Sequence, residues 1–445
     1  MIFHQILYRD LGCASYLLAD AGHAAVVDPR WDIEVYLELA AEEGVKITHV
    51  IDTHLHADHV SGRERLAERT GARTEIAAGD RLEVGSLRLR AVATPGHRPE
   101  HLSILVSDIS RGEDPWLILS GDSLLVGDLA RPDLAVEAQT GARKLRESLS
   151  ELLELGDHVE VWPGHVGGSL CGGMGLSGKT NSTIGYERAH NPLLKAEENR
   201  FVEELLRELP PRPPTLARVV ALNRARTPSA PIPVADLDES ALAQEIAVGA
   251  QVVDGRSPDA FDSGHLRGAI NLPSGRSQGT RAGWVLSPED RIVVIGADRD
   301  HARKIVSGLH AVGLWGVVGL AGGDPQRWLE AGLDIQQTSS WSVATLAARL
   351  RSDDTQLIDV RERDEWSTGH VHGSRSLPLH GLADLDAITL GQAAAGTLAV
   401  ACAGGTRAAF AASVIRRCGH SNVIRVANGG IGKLPTHGVV LTAGE

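Results

Sequence analysis

Thr53-His54-Leu55-His56-Ala57-Asp58-His59 stands directly behind the β-type run Ile47–Ile51. With 19 histidines in 445 residues, three at this spacing arise by chance with a probability of about 0.03. A histidine-rich loop alone could be solvated surface, so the reading depends on what surrounds it. His97 closes Thr94-Pro95-Gly96-His97 just past the run Leu87–Ala93. Asp122 closes Ser120-Gly121-Asp122 past Trp116–Leu119, and His165 closes Trp162-Pro163-Gly164-His165 past Val159–Trp162. Four strand ends therefore carry ligand-type residues, and in stacked sheets such ends converge on one rim, where sites are usually built. Two further strand-like runs, Ala24–Asp28 and Leu102–Val106, and helical stretches at Ile33–Glu43 and Val60–Thr70 imply two packed sheets with outer helices. The donor chemistry leaves the metal open. Imidazole-rich sites with a bridging carboxylate suit two zinc ions and hydrolysis. Two histidines and one carboxylate with open positions suit non-haem Fe(II) and oxygen.

The pattern His-x-His-x-Asp-His followed by His97, Asp122 and His165 resembles the metallo-β-lactamase superfamily over about residues 1–210. The resemblance implies an αββα sandwich with up to two metal positions, His54, His56 and His97 for one, Asp58, His59 and His165 for the other, and Asp122 shared. Leu124 to Asp133, the run Gly168-Ser169-Leu170-Cys171-Gly172 and Lys179 to Glu187 are together similar to the persulfide dioxygenase branch. That likeness implies one Fe(II) per chain, held by His54, His97 and Asp122, with the second position usually empty. It makes Arg131 a support for the thiol substrate and for the residues behind the metal ligands, and lets the Cys171–Tyr186 loop line the substrate mouth. Cys171 is a candidate substrate-side thiol, although a packed small residue reads equally well there. Arg131 and Lys179 are the local charges that an anionic persulfide would meet.

Leu209-Pro-Pro-Arg-Pro-Pro214 follows a charged helical stretch and forbids its continuation. It ends a first domain, 1–210, and opens a linker, 211–231. Beyond lies an internal repeat. Gln251-Val-Val-Asp-Gly-Arg with Gly264-His-Leu-Arg-Gly matches Gln356-Leu-Ile-Asp-Val-Arg with Gly369-His-Val-His-Gly. In each copy, 232–338 and 341–445, short Val/Ile runs (Ile292–Ile295, Thr397–Ala401) alternate with helical runs (Arg303–Val312, Arg407–Arg417), the mark of a parallel sheet covered by helices. In the second copy Cys402 ends a strand and enters the Gly-rich loop Ala403-Gly-Gly-Thr-Arg407 before a helix. Successive backbone N–H groups and the helix start favour a thiolate, and Arg407 offers a fork for an anionic substrate. These features resemble the rhodanese sulfurtransferases, which implies that Cys402 carries a sulfane sulfur. The four residues between Cys402 and Arg407 favour that over a phosphoryl group, for which the related loop has five. Arg361 with Asp359, and His370, are read as holding sheet ends together. The first copy has Gly296 and His301 in place of the cysteine and arginine, so it resembles a rhodanese-like domain without activity. Cys13 and Cys418 are read as structural.

Length alone predicts about three domains. The net charge of −13 and the lack of a Lys/Arg block argue against nucleic acid. No apolar run of spanning length and no basic-then-apolar start argue against a membrane or a signal peptide. Four cysteines make no disulfide framework, and a cytoplasmic chain is expected. The fold class is α/β: an N-terminal sandwich and two parallel-sheet rhodanese-like domains. The expected function is iron-dependent oxidation of a small thiol persulfide with O2 to sulfite and thiol. Sulfur transfer at Cys402, forming or using thiosulfate, accompanies it in sulfide detoxification. Partners are then a thiol persulfide, O2, and sulfite or thiosulfate, and the chain is compatible with a homo-oligomer. One rival is a dinuclear zinc thioester hydrolase of glyoxalase II type with an accessory rhodanese. Another is a sulfur relay that uses only Cys402 and binds no metal.

Overall fold

The computed structural model describes all residues except 168, 174, 208, 227–232, 352–354, 384–395 and 445. Residues 227–231 of the linker, boundary residue 232 and Gly168 thus lie outside the described residues. By packing, the chain divides into two compact units: Met1–Pro231 with His310–Gly313, and Ile232–Leu309 with Leu314–Glu445.

The first unit holds two sheets. One is β1 (Ile2–Tyr8), β2 (Cys13–Asp20), β3 (His23–Val27) and β4 (Lys46–Ile51), in that order. β1–β2–β3 is an antiparallel meander, and β4 lies parallel to β3. The other runs β10-β9-β8-β7-β6-β5 and comprises β5 (Arg81–Val84), β6 (Leu87–Ala93), β7 (Leu102–Asp108), β8 (Leu117–Gly121), β9 (Glu160–Pro163) and β10 (Ser182–Thr183). Period-two alternation sorts side chains between layers. Tyr16, Leu18, Ala25 and Val27 face Leu89, Ala91, Ile104 and Leu119 between the sheets. Leu17, Ala19, Ala24 and Val26 point the other way, onto Tyr36 and Ala40 of α1 (Glu34–Glu42) and Leu66 of α2 (Arg63–Thr70). Behind the second sheet, Leu105 and Ile118 pack on Leu145 and Leu149 of α3 (Ala138–Leu152), while Ile184 of α4 (Ile184–His190) and Phe201 of α5 (Glu198–Leu206) close the layer. This is the expected αββα sandwich. β2 was not evident in the sequence because both its faces are buried, which erases the polar alternation that announces a strand.

The stretch read as an extended linker contains a helix, α6 (Thr215–Arg224), that belongs to the first unit. Proline is tolerated at a helix start, so Pro213-Pro214 opens this helix, and Val219 and Leu222 are buried.

In the second unit each repeat forms a five-stranded parallel sheet. The first runs Ala235–Asp236, Val317–Gly322, Ile292–Gly296, Gln251–Asp254, Ile270–Asn271. The second runs Ser340–Trp341, Val423–Val426, Thr397–Ala401, Thr355–Asp359, Arg375–Ser376. Arg256 grips Asp254 and the Gly264 carbonyl, and Arg361 grips Asp359 and the Gly369 carbonyl in the same way. His265 and His370 stack on Phe261 and Trp366. The repeat motif is thus a packing device.

Candidate functional site

Four strand ends of the sandwich deliver the metal-type residues. His54 follows β4, His97 follows β6, Asp122 follows β8 and His165 follows β9. His54 Nε2 lies 3.7 Å and His97 Nε2 3.4 Å from Asp122 Oδ2. All three atoms are buried and have no hydrogen-bond partner among the described residues. An unpaired buried polar atom costs about 1–3 kcal/mol, and here three converge. Two adjacent donors, each ~2.1 Å from one ion, stand about 3 Å apart, so the set fits a single metal ion.

The far side of each candidate histidine ligand is fixed. The His97 Nδ1–H donates to the Arg131 carbonyl at 2.7 Å, which leaves Nε2 as a lone pair. Thr53 Oγ1 donates to Asp28 Oδ2 at 2.8 Å and so accepts from His54 Nδ1 at 2.9 Å. The Asp122 N–H donates to His101 Nε2 at 2.8 Å, which engages that ring and excludes it as a ligand. Such outer partners set ring orientation and tautomer. Burial, with neighbouring imidazoles, holds His54 well below its ordinary pKa. Burial also lowers His97, against the pull of Asp122, and takes His101 to about 4. Neutral imidazole is the ligating form.

The second set differs. His165 donates from both ring nitrogens, to Asp122 Oδ1 at 2.6 Å and Asp58 Oδ2 at 2.9 Å. Burial opposes charge on this ring, but the Asp122 and Asp58 carboxylates outweigh it and raise its pKa well above the ordinary value. His59 Nδ1 meets Asp58 Oδ1 at 3.2 Å. His56 turns its Nε2 to Asp28 Oδ1 at 3.1 Å and groups with Asp58 and His59, while its ring centroid lies 4.3 Å from that of His54. Cys13, read as structural, places Sγ 3.0 Å from Asp58 Oδ2 and 3.5 Å from His165 Nε2. Cys13, Asp58 and His165 are spent on one another, and an ion bound by them would have to displace those bonds, whereas His56 Nδ1 and His59 Nε2 are buried without a partner among the described residues.

Among the substrate-side candidates, Cys171 is buried with its thiol beside Asp122 and His165. Burial raises its pKa well above the ordinary value, so it is a thiol and not a ready nucleophile. Arg131 is also buried, and its guanidinium is engaged bidentately by Asp133 at 2.7 and 2.8 Å. Its link to the metal residues is the carbonyl on His97. Arg131 and Gly172, Gly173 and Gly175 line a cavity of about 280 Å³. Lys179 is exposed, and its side chain makes no hydrogen bond or ion pair among the described residues.

Three supports were not evident in the sequence. Asp28 ends β3 in a left-handed conformation (φ 53°) and accepts from Thr53 N, Thr53 Oγ1 and His56. Only its place at the end of a Val-rich strand could have signalled it. Asn223 of α6 donates from Nδ2 to the carbonyls of His56 and His59 and accepts from Ser61 N, all at 2.9 Å. Asn223→Ala should weaken metal binding about 10–100-fold, the usual cost of losing an outer partner, as read by equilibrium dialysis with Co(II). Gly96 has φ +152°, and a Cβ there would lie 2.5 Å from Leu145 Cα of α3. Gly96→Ala should therefore cost about 2–4 kcal/mol of unfolding free energy and dislodge His97. Urea unfolding and metal content check it together.

In the second unit Cys402 is buried at the end of its strand, and the Gly405 N–H donates to its Sγ at 2.9 Å. Arg407, expected to present its fork to substrate, is held bidentately by Glu365 at 2.5 and 2.8 Å, which ties the loop to the helix Arg363–Thr368. In the other repeat a Cβ on Gly296 would meet Asp298 O at 2.5 Å and Ala302 N at 2.6 Å. His301 bonds the Ala297 N–H and Ser274. That loop is closed on itself and has no room for a cysteine.

The metallo-β-lactamase superfamily model matches residues 8–84 and the rhodanese-like domain model matches 238–328 and 342–434. The chain therefore joins a metallo-β-lactamase domain to tandem rhodanese-like domains. It is 26% identical over 226 residues to the mitochondrial persulfide dioxygenase ETHE1 of Bos taurus, covering 47% of this chain and 82% of that one. It is 33% identical over 165 residues to a hydroxyacylglutathione hydrolase of Anaeromyxobacter dehalogenans, covering 34% of this chain and 60% of the relative. The crystal structure of a metallo-beta-lactamase from Staphylococcus aureus subsp. aureus COL aligns with a TM-score of 0.65 at 29% identity, covering 72% of this chain and 99% of that one.

Proposed function

We propose that the chain is a non-haem iron persulfide dioxygenase coupled to a sulfurtransferase. The observation that carries this reading is the trio of buried, unpartnered atoms His54 Nε2, His97 Nε2 and Asp122 Oδ2. Two imidazoles and one carboxylate form the donor set suited to Fe(II) and oxygen, and the likeness to named persulfide dioxygenases supports it. Bound iron would supply the oxygen chemistry that turns R–S–S⁻, O2 and water into R–SH, sulfite and protons. The chain's own part is to hold His54 and His97 neutral and aimed through Thr53 and the Arg131 carbonyl. The 280 Å³ cavity beside Arg131, walled by Gly172, Gly173 and Gly175, would admit the thiol portion of the substrate; Cys171 and Lys179 are not among its lining residues. At the second centre, the Cys402 thiolate attacks the outer sulfur of a persulfide, releases the thiol and becomes a persulfide. Its outer sulfur then passes to sulfite, forming thiosulfate and regenerating the thiolate. Arg407 would hold the loop in shape through Glu365, and the repeat around Gly296 would be inactive. The purified chain, given glutathione persulfide and oxygen, should release sulfite first and thiosulfate as sulfite accumulates. Persulfide consumption without either product would contradict the reading.

A second reading rests on Asp58, His59 and His165, which are retained, and on the hydroxyacylglutathione hydrolase relatives: a dinuclear zinc thioester hydrolase. It requires breaking the bonds among Cys13, Asp58 and His165.

One structural consequence concerns acid. Asp133 lies between Arg131 and Arg212. Burial works against its charge, but the two guanidiniums lower its carboxyl to about 2. Its contribution to stability is thus complete above its ordinary value and disappears as pH falls towards 2. Asp133→Asn should cost about 3 kcal/mol near neutrality and flatten that acid limb, as measured by thermal unfolding against pH.

A further inference from the structure

Most buried arginines here face a carboxylate: Arg131, Arg256, Arg361 and Arg425 each hold an aspartate. Arg416 and Arg417, both partly buried, do not. Arg416 Nε and Nη2 reach only the Val423 carbonyl, at 3.2 and 2.9 Å. Arg417 reaches Gln251 Oε1 at 2.8 Å and the Val285 carbonyl at 3.4 Å. Neither forms an ion pair among the described residues. Burial lowers the Arg416 guanidinium to about 10, with Asp262 opposing and Arg425 adding to the shift. Both side chains line a cavity of about 210 Å³ between the two repeats, together with His265, Arg267 and Ser413.

Among the described residues no carboxylate lines this cavity. Of the nearby acids, Asp259 and Asp262 are engaged by Arg425 and Asp334 by Arg267, while Asp290, which acts on Arg417 from a distance, accepts from the Ser287 N–H and forms no ion pair among the described residues. The wall is preorganised. His265 gives Nδ1 to the Phe261 carbonyl at 2.8 Å, and the Ser413 hydroxyl is fixed between Asn271 N and the Phe410 carbonyl. Partly desolvated guanidiniums with neutral partners retain most of their field, and their planar forks suit tetrahedral oxyanions. The volume falls below the ~300 Å³ at which sites for drug-sized organic ligands begin, so the ligand must be small. The cavity is also distinct from the sulfur-transfer loop. Arg416 and Arg417 close the helix Thr406–Arg417, about 16 Å along its axis from the end that meets Cys402.

We propose that this cavity binds a small tetrahedral oxyanion, of sulfate or thiosulfate on one hand or phosphate on the other, with Arg416 and Arg417 as the principal contacts.

The test uses the full chain carrying Cys402→Ser, so that the loop cannot take up sulfur. Titration calorimetry and thermal shift are run with sodium sulfate, thiosulfate or phosphate, ionic strength matched by chloride. Saturable binding of at least one oxyanion is expected, and it should weaken at least about tenfold in Arg416→Gln and in Arg417→Gln, since each removes charge-assisted hydrogen bonds. Tighter binding of the sulfur anions or of phosphate identifies the source, and either supports the proposal. Arg267 is exposed, so Arg267→Gln should keep the fold and weaken binding if the buried variants fail to fold. Stabilisation no greater than with chloride, or equal affinity in all three variants, would overturn it.

Discussion

Asp122→Ala is expected to abolish persulfide-dependent oxygen uptake and strip the metal while sulfur transfer at Cys402 continues. Asp122 Oδ2 is the atom on which His54 and His97 converge. Its removal takes away one of three donors, so the loss should exceed the 10–100-fold cost of an outer partner. The other oxygen matters too. Oδ1 holds His165, whose positive ring would be left to Asp58 alone. Truncating one partner of a buried pair costs about 3–5 kcal/mol, so part of the effect would appear in the melting temperature. Asp122→Asn separates the two contributions, because an amide oxygen can still accept from His165 while the negative donor is gone. Iron content, oxygen uptake and thiosulfate sulfurtransferase activity should be measured on both variants. If oxygen uptake persists in Asp122→Ala, the site lies elsewhere. If sulfur transfer collapses with it, Asp122 supports the whole fold and not the metal alone.

Cys402→Ser should show the opposite pattern. The sulfur must be carried on a thiolate, and a serine hydroxyl at the same place, beside the Gly405 N–H, cannot become one near neutrality. Sulfur transfer should fall to background, a loss of at least about a thousandfold, with oxygen uptake unchanged. The product should shift from a mixture containing thiosulfate to sulfite alone. Chromatography of the sulfur oxyanions reads this directly. Thiosulfate formation by the Cys402→Ser protein would place the transfer at another cysteine, and Cys171 would be examined first.

The amino-acid sequence made the candidate metal-binding residues legible and left their supports hidden, for a physical reason. His54, His97, Asp122 and His165 each end a β-type run behind a recognisable turn, so local pattern placed them. Asp28 acts on Thr53 across 25 positions, Cys13 on Asp58 across 45, and Asn223 on His59 across 164. Nothing local marks such partners. Asn223 was further concealed because prolines suggested an extended connection where a helix begins. Arg407 shows the converse: its loop was plain in the sequence, but its engagement by Glu365 depends on a helix 42 positions earlier. Arg131 was expected behind the metal ligands, but that it acts there through its backbone carbonyl on His97 is a matter of fold that no side-chain type announces.

The metal and the reaction are best decided together. The full chain should be expressed in medium containing both iron and zinc, its metal content measured, and oxygen consumption followed on addition of glutathione persulfide. About one iron per chain with persulfide-dependent oxygen uptake is the expected result for a two-histidine, one-carboxylate site. Two zinc ions per chain with no oxygen uptake would contradict it and make thioester hydrolysis the function to pursue.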